Sequence, residues 1–134
     1  MAMGHTIKLA ALGAVAFMVL DGIWLGLLMK NVYRDQLAPI ARLANGRIAP
    51  NWPAALVVYA LLGTGIALFV RPRASTVSLA AAYGALFGLV VYGVYDFTNY
   101  STLRQWPFVL ALADVAWGAV ASAACAAAVR IVSQ

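Results

Sequence analysis

Cysteine, histidine and acidic side chains are nearly missing from this 134-residue sequence. There is one Cys, Cys125, and one His, His5; all four acidic residues are Asp, and Glu is absent. A lone thiol in an Ala-rich apolar run builds neither a disulfide nor a zinc site, so Cys125 reads as a small core residue. A single His near the N-terminus excludes bis-histidine haem ligation. It also excludes a Ser-His-Asp or Cys-His nucleophile inside a membrane. The two lysines, Lys8 and Lys30, flank the first apolar run and do not enter it, so a mid-membrane Schiff-base lysine is absent as well. Charge of either sign is scarce: 10% of residues are charged, against about a quarter in an ordinary soluble domain. What fills the chain is hydrophobic, at 65% of residues and a mean hydropathy of +0.90. A soluble globular domain and a disordered chain are both excluded by these values.

The net charge is +5. No basic face with interleaved aromatics is present, so nucleic acid is not expected as a partner. The basic residues stand at the ends of apolar runs, where the headgroups of the lipid bilayer are the natural partner. Four such runs occur, at about residues 9–29, 53–70, 77–97 and 108–129. Each is close to the roughly 20 residues that cross a bilayer as a helix. A spanning segment must satisfy its own backbone, and these runs lack the alternation of barrel strands. The expected fold is therefore an all-α membrane protein, a single domain over 1–134. It is an antiparallel bundle of four transmembrane helices with short loops and a longer first loop.

The first run carries Lys8 and an Ala14-Val15-Ala16 stretch that resembles a cleavage site. It continues too far, to Met29, for a signal peptide, and is read as a retained span. Trp52-Pro53 and Trp106-Pro107 precede the second and fourth runs. Proline suits a helix start and tryptophan the headgroup boundary, so both pairs mark one side of the membrane. The long first connection, Lys30 to Asn51, mixes basic and apolar residues around Pro39, and fits a segment lying in the headgroup layer or an irregular loop equally well. Lys8, Arg71, Arg73 and Arg130 fall on one side and Lys30, Arg34, Arg42, Arg47 and Arg104 on the other. Four against five gives the positive-inside rule nothing to act on.

Three Asp stand in or beside the spans, and a carboxyl there is costly enough to mark a site. Asp21 is 12 residues past Leu9, about 18 Å into a core of about 30 Å. Asp114 is 6 residues past Phe108, and Tyr59 is 6 past Pro53. Both are thus about 9 Å deep from the opposite side. Asp96 is 19 residues past Val77 and reaches that same side. All four spans are thus expected to send a polar group into one leaflet. Gly84, Gly88, Tyr92 and Asp96 share a face at four-residue spacing, with Asn99 three further on. Asp114, Gly118 and Ser122 do the same, with Trp117 beside them. Gly22 and Gly26 form a small-xxx-small pair expected to permit close helix contact. A D-x-x-W spacing occurs twice, as Asp21/Trp24 and Asp114/Trp117.

The motifs Tyr95-Asp96-Phe97-Thr98-Asn99, Thr102-Leu103-Arg104-Gln105-Trp106-Pro107 and Asp114-Val115-Ala116-Trp117-Gly118 resemble those of a family of small prokaryotic membrane proteins of unknown function. The family pattern reads Y-D-L-T-N, then a stretch like T-L-K-G-W-P, then D-I-x-W-G. Its first helix carries D-x-x-W-L-G, matched by Asp21, Trp24, Leu25 and Gly26. Phe97, Arg104 and Gln105 depart from it without removing a polar member. The resemblance covers nearly the whole chain and implies a four-helix, multi-pass protein of the prokaryotic inner (cytoplasmic) membrane.

The expected site is an intramembrane polar pocket opening towards the Trp-Pro side. Asp21, Asp96, Asn99 and Asp114 would form it, lined by Tyr59, Tyr92, Tyr95, Trp24 and Trp117, with Arg104 either a charge partner or a headgroup contact. It would bind or transport a small or amphipathic ligand, a small molecule or a lipid. No cofactor and no resident metal are expected. The alternatives are an accessory or structural subunit, in a homo-oligomer or membrane complex, and a lipid- or isoprenoid-modifying membrane enzyme. No catalytic residue is assigned.

Overall fold

The computed structural model describes residues 2–134 and contains four helices long and apolar enough to cross a membrane. They are α1 (Met3–Leu28), α3 (Trp52–Arg73), α4 (Val77–Thr102) and α5 (Phe108–Val132). A short helix, α2 (Lys30–Leu37), and a two-stranded hairpin, β1 (Leu43–Ala44) with β2 (Arg47–Ile48), fill the first connection. The chain is thus all-α in its spans, with the longer first loop folded and not irregular. Asn45 and Gly46 turn the hairpin, both with positive φ (52° and 71°). That conformation is what a two-residue hairpin turn requires and what Asn-Gly supplies most cheaply.

The helix ends follow from side-chain chemistry. Asn51 caps α3 through a bond from the Ala54 N–H at 3.3 Å, and Thr76 caps α4 through the Leu79 N–H at 3.1 Å. Pro107 stands at the cap of α5, one position ahead of the helix proper. Pro72 cannot continue the α3 hydrogen-bond ladder. The last turns of α3 therefore widen to a π turn over Ile66–Val70 and end in a 3₁₀ turn over Arg71–Arg73. The Arg73 guanidinium donates to the Phe69 carbonyl at 2.8 Å and satisfies one of the oxygens this leaves. Arg71 donates to Ser133 Oγ and O, and Arg130 to the Ser75 carbonyl at 2.8 Å. These three bonds tie the basic turn between α3 and α4 to the end of α5, on the side opposite the Trp-Pro pairs.

The spans pack as two hairpin-like pairs, α1 with α3 and α4 with α5, joined where α1 and the last turns of α3 meet α5 and α4. Both pairs close on small residues. Helix α1 crosses α3 where Gly13 meets Gly63, and a Cβ on Gly13 would sit 3.1 Å from the Gly63 Cα. Helix α4 lies against α5 through Gly84 and Gly88, facing Gly118, Ser122 and Ala126. Without a hydrophobic driving force between helices in lipid, such close backbone approach is what holds spans together. The expected contact at Gly22 and Gly26 is not there: both face open space, with no heavy atom near either Cβ position. The crossing lies further down α1, at Gly13. Phe17, Ile66, Ala67, Ala121, Cys125 and Val129 complete a core inaccessible to solvent.

Candidate functional site

The upper ends of the spans hold a chain of hydrogen bonds that crosses between the two D-x-x-W segments. Trp117 Nε1–H, on α5, donates to Asp21 Oδ1, on α1, at 2.8 Å. Trp24 Nε1–H, on α1, donates to the Tyr33 hydroxyl at 3.0 Å, and that hydroxyl donates to Asp114 Oδ1, on α5, at 2.6 Å. The two indoles stack face to face, 4.6 Å between centroids and 1° between planes. Each tryptophan therefore serves the carboxylate of the other helix, directly in one case and through Tyr33 in the other. An indole only donates and a carboxylate only accepts, whereas a phenol does both. Tyr33 can therefore stand between two such groups. Trp24 and Asp21 lie on the same side because they are three residues apart on one helix; the π turn over Trp24–Leu28 shifts the register of the residues that follow.

Tyr33 is 7% exposed and is the buried residue of α2. Burial, and then the Asp114 charge, push its phenol well above the ordinary tyrosine range. Asp21 is nearly buried, and Tyr59 lies within interaction range of it. Tyr92 packs its ring onto Gly118, where a Cβ would strike the ring. It sits among Asp21, Asp114 and Tyr59. Asp21, Trp24, Tyr59, Tyr92, Asp114 and Trp117 are therefore brought together.

Asp96 occupies a different setting. It is completely buried, and neither carboxyl oxygen has a hydrogen-bond partner. Its polar neighbours are Asp114 and Trp106, and the Trp106 Nε1–H is buried and unpartnered too. Trp106 is braced edge-on by Tyr95, at 5.7 Å and 87°. Tyr95 is otherwise 55% exposed, with Asn99, Asp96 and Asp114 within interaction range. Asn99 is half-buried one turn beyond Asp96, and Arg104 is exposed on the loop, with no hydrogen bond or ion pair to a carboxylate. Among the described residues no three His, Cys, Asp or Glu side chains converge closely enough to hold a metal ion.

Two residues of this arrangement are not among those the sequence singles out as a site. Trp106 carries the signature of a boundary residue, which hides its inward N–H. Tyr33 sits in a basic connection whose path only the tertiary structure fixes. The signal available for Tyr33 was donor arithmetic: Asp114 needs a donor, and no residue of its own helix face supplies one.

The chain matches the family described as "Predicted membrane protein (DUF2177)" over residues 6–131. It belongs to that family. Membership assigns the chain to the membrane and attaches no reaction to it. Neither a curated protein nor a solved structure matches the chain.

Proposed function

We propose that this DUF2177 protein binds a small or amphipathic ligand at the Asp96 end of the intramembrane network, in the leaflet nearest the Trp-Pro loops, for carriage across or within the membrane. The observation that carries the reading is the pair of buried, unpartnered polar groups, the Asp96 carboxyl and the Trp106 indole N–H. In a low-dielectric interior an unsatisfied polar group costs about 1–3 kcal/mol. The two lie beside each other without meeting hydrogen-bond geometry, which leaves an acceptor and a donor for a bound group to meet. A carboxyl acceptor and an indole donor together suit a ligand carrying a hydroxyl, amide or amine. Asp21, Asp114, Trp24, Trp117 and Tyr33 then form the rigid wall behind the ligand, with Tyr59 and Tyr92 below. The protein is multi-pass, and the prokaryotic inner membrane is its proposed location.

Asp96→Asn tests this. The variant keeps the shape and removes the charge, so its thermal midpoint in detergent is expected to equal or exceed the parent's. Native mass spectrometry of protein extracted with its lipids is expected to show a bound species on the parent that the variant lacks. Bare protein in both cases, or the same species on both, contradicts the proposal.

A second reading, an accessory subunit of a membrane complex, is supported by the Trp–Asp network, which already partners Asp21 and Asp114 internally. Under that reading the Asp96→Asn variant loses a co-purifying protein and not a small molecule.

A further inference from the structure

The loop side of α1 carries a second site, unrelated to the carboxylates. A cavity of about 350 Å³ opens where α1 leaves the apolar region, lined by Leu25, Gly26, Lys30, Asn31, Arg34, Arg47 and Ile48. Three of the nine basic residues of the chain meet in it, and no acidic residue lines it. The ion pair of Arg34 with Asp35, at 2.7 Å, occupies only the Arg34 Nε, which leaves the two terminal guanidinium nitrogens free to donate. Lys30 and Arg47 have no carboxylate within ion-pair distance among the described residues. Helix α2 begins at the same place. Its first turn holds no acidic residue, and no side chain caps it. The unpaired N–H groups there add to the positive field.

We infer that this cavity binds the phosphate of an anionic lipid headgroup. Lys30 supplies a point charge, Arg34 and Arg47 supply planar donors matched to phosphate oxygens, and Asn31 a neutral donor. The position fits a lipid in preference to a free anion. Leu25 and Ile48 flank the charges and are exposed, and Leu27 and Leu28 beside them are 69% and 68% exposed. A headgroup held by the cations would lay its glycerol and first methylenes on these side chains. The hairpin β1–β2 brings Arg47 and Ile48 opposite α2, where both line the cavity. Tyr33 lies on the same short helix as Lys30 and Arg34 and donates to Asp114. A headgroup on one side of α2 and Asp114 on the other would pin that helix to the spans.

The test uses the full chain in a neutral detergent and reads the thermal midpoint while short-chain phosphatidylglycerol is added. The midpoint is expected to rise and saturate with phosphatidylglycerol and not with phosphatidylcholine. Inorganic phosphate at equal concentration is expected to give little rise. The Lys30→Gln/Arg47→Gln double variant should weaken the phosphatidylglycerol response about tenfold or more, as two charge-assisted contacts imply. Arg42→Gln, which removes a loop charge outside the cavity, should leave it intact. The proposal is overturned if Arg42→Gln weakens the response as much, or if phosphatidylcholine protects equally. It is also overturned if inorganic phosphate alone gives the full effect. None of the substituted residues, Lys30, Arg42 and Arg47, contributes to the Asp96 site, so either proposal can fail while the other stands.

Discussion

Leucine at Gly88 is expected to cost this protein about 3 kcal/mol or more of stability, the upper range for overpacking a close contact. A Cβ at that position would run into the Gly118 carbonyl and the Ser122 hydroxyl of α5. The first of these is backbone and cannot swing aside, so the helices must part. Parting α4 from α5 also moves Tyr92, whose ring lies over Gly118, and Asp96, two turns above Gly88 on the same face. Equilibrium unfolding in mixed detergent micelles measures the loss. Gly93→Ala is the internal control, because nothing lies within 4 Å of its Cβ position. Its expected change is within about 0.5 kcal/mol. Equal effects at the two glycines would contradict the packing described.

The second large effect is at Trp117. Replacing it with Ala removes the stack on Trp24 and the donor to Asp21 in one step. Truncating a packed tryptophan costs about 3–5 kcal/mol. The two parallel indoles should also give a coupled signal in circular dichroism. That couplet is expected to vanish in Trp117→Ala and in Trp24→Phe alike, whereas Trp52→Phe leaves it unchanged. A stability loss below about 1 kcal/mol, or a signal that survives, would mean the rings do not stack.

Much of the fold could be read from the sequence because the bilayer leaves little choice. A run of about 20 apolar residues has to be a helix there. Short basic or Trp-Pro connections have to alternate sides. The α4–α5 contact was legible for a related reason: Gly84 and Gly88 repeat at the spacing of one helix face. The α1–α3 contact was not, since Gly13 and Gly63 are single glycines on separate helices, with no repeat to mark either. Gly22 and Gly26 carried the repeat without the contact, which shows how little a small-xxx-small pair says by itself. The Asn45-Gly46 hairpin was present as a turn signal between Leu43-Ala44 and Arg47-Ile48, two strands too short to show alternation.

The site divides along the same line. Depth along a helix is a matter of counting, so Asp21, Tyr59 and Asp114 could be assigned to one leaflet. Partner choice is not, because it depends on rotation of one helix against another. The D-x-x-W spacing shows that each Asp and Trp share a helix face, and not that each tryptophan serves the opposite helix. Tyr33 enters only because α2 folds back over the spans, which no local pattern in residues 30–51 dictates. Arg104 illustrates the converse case: its sequence position suggested a charge partner, and its exposed loop leaves it facing outward.

The account depends on donors and carboxylates from separate spans meeting in one interior, and a double-mutant cycle between Asp21 and Trp117 tests that most directly. Asp21→Leu takes the acceptor from the Trp117 N–H, Trp117→Phe takes the indole donor from the Asp21 carboxyl, and the double variant removes both sides of the bond. The two residues are 96 positions apart in sequence and 2.8 Å apart in space. Unfolding free energies of the four proteins, measured in the same micelles, are expected to show a coupling of about 1–3 kcal/mol. Strict additivity would mean that α1 and α5 do not present these side chains to one another.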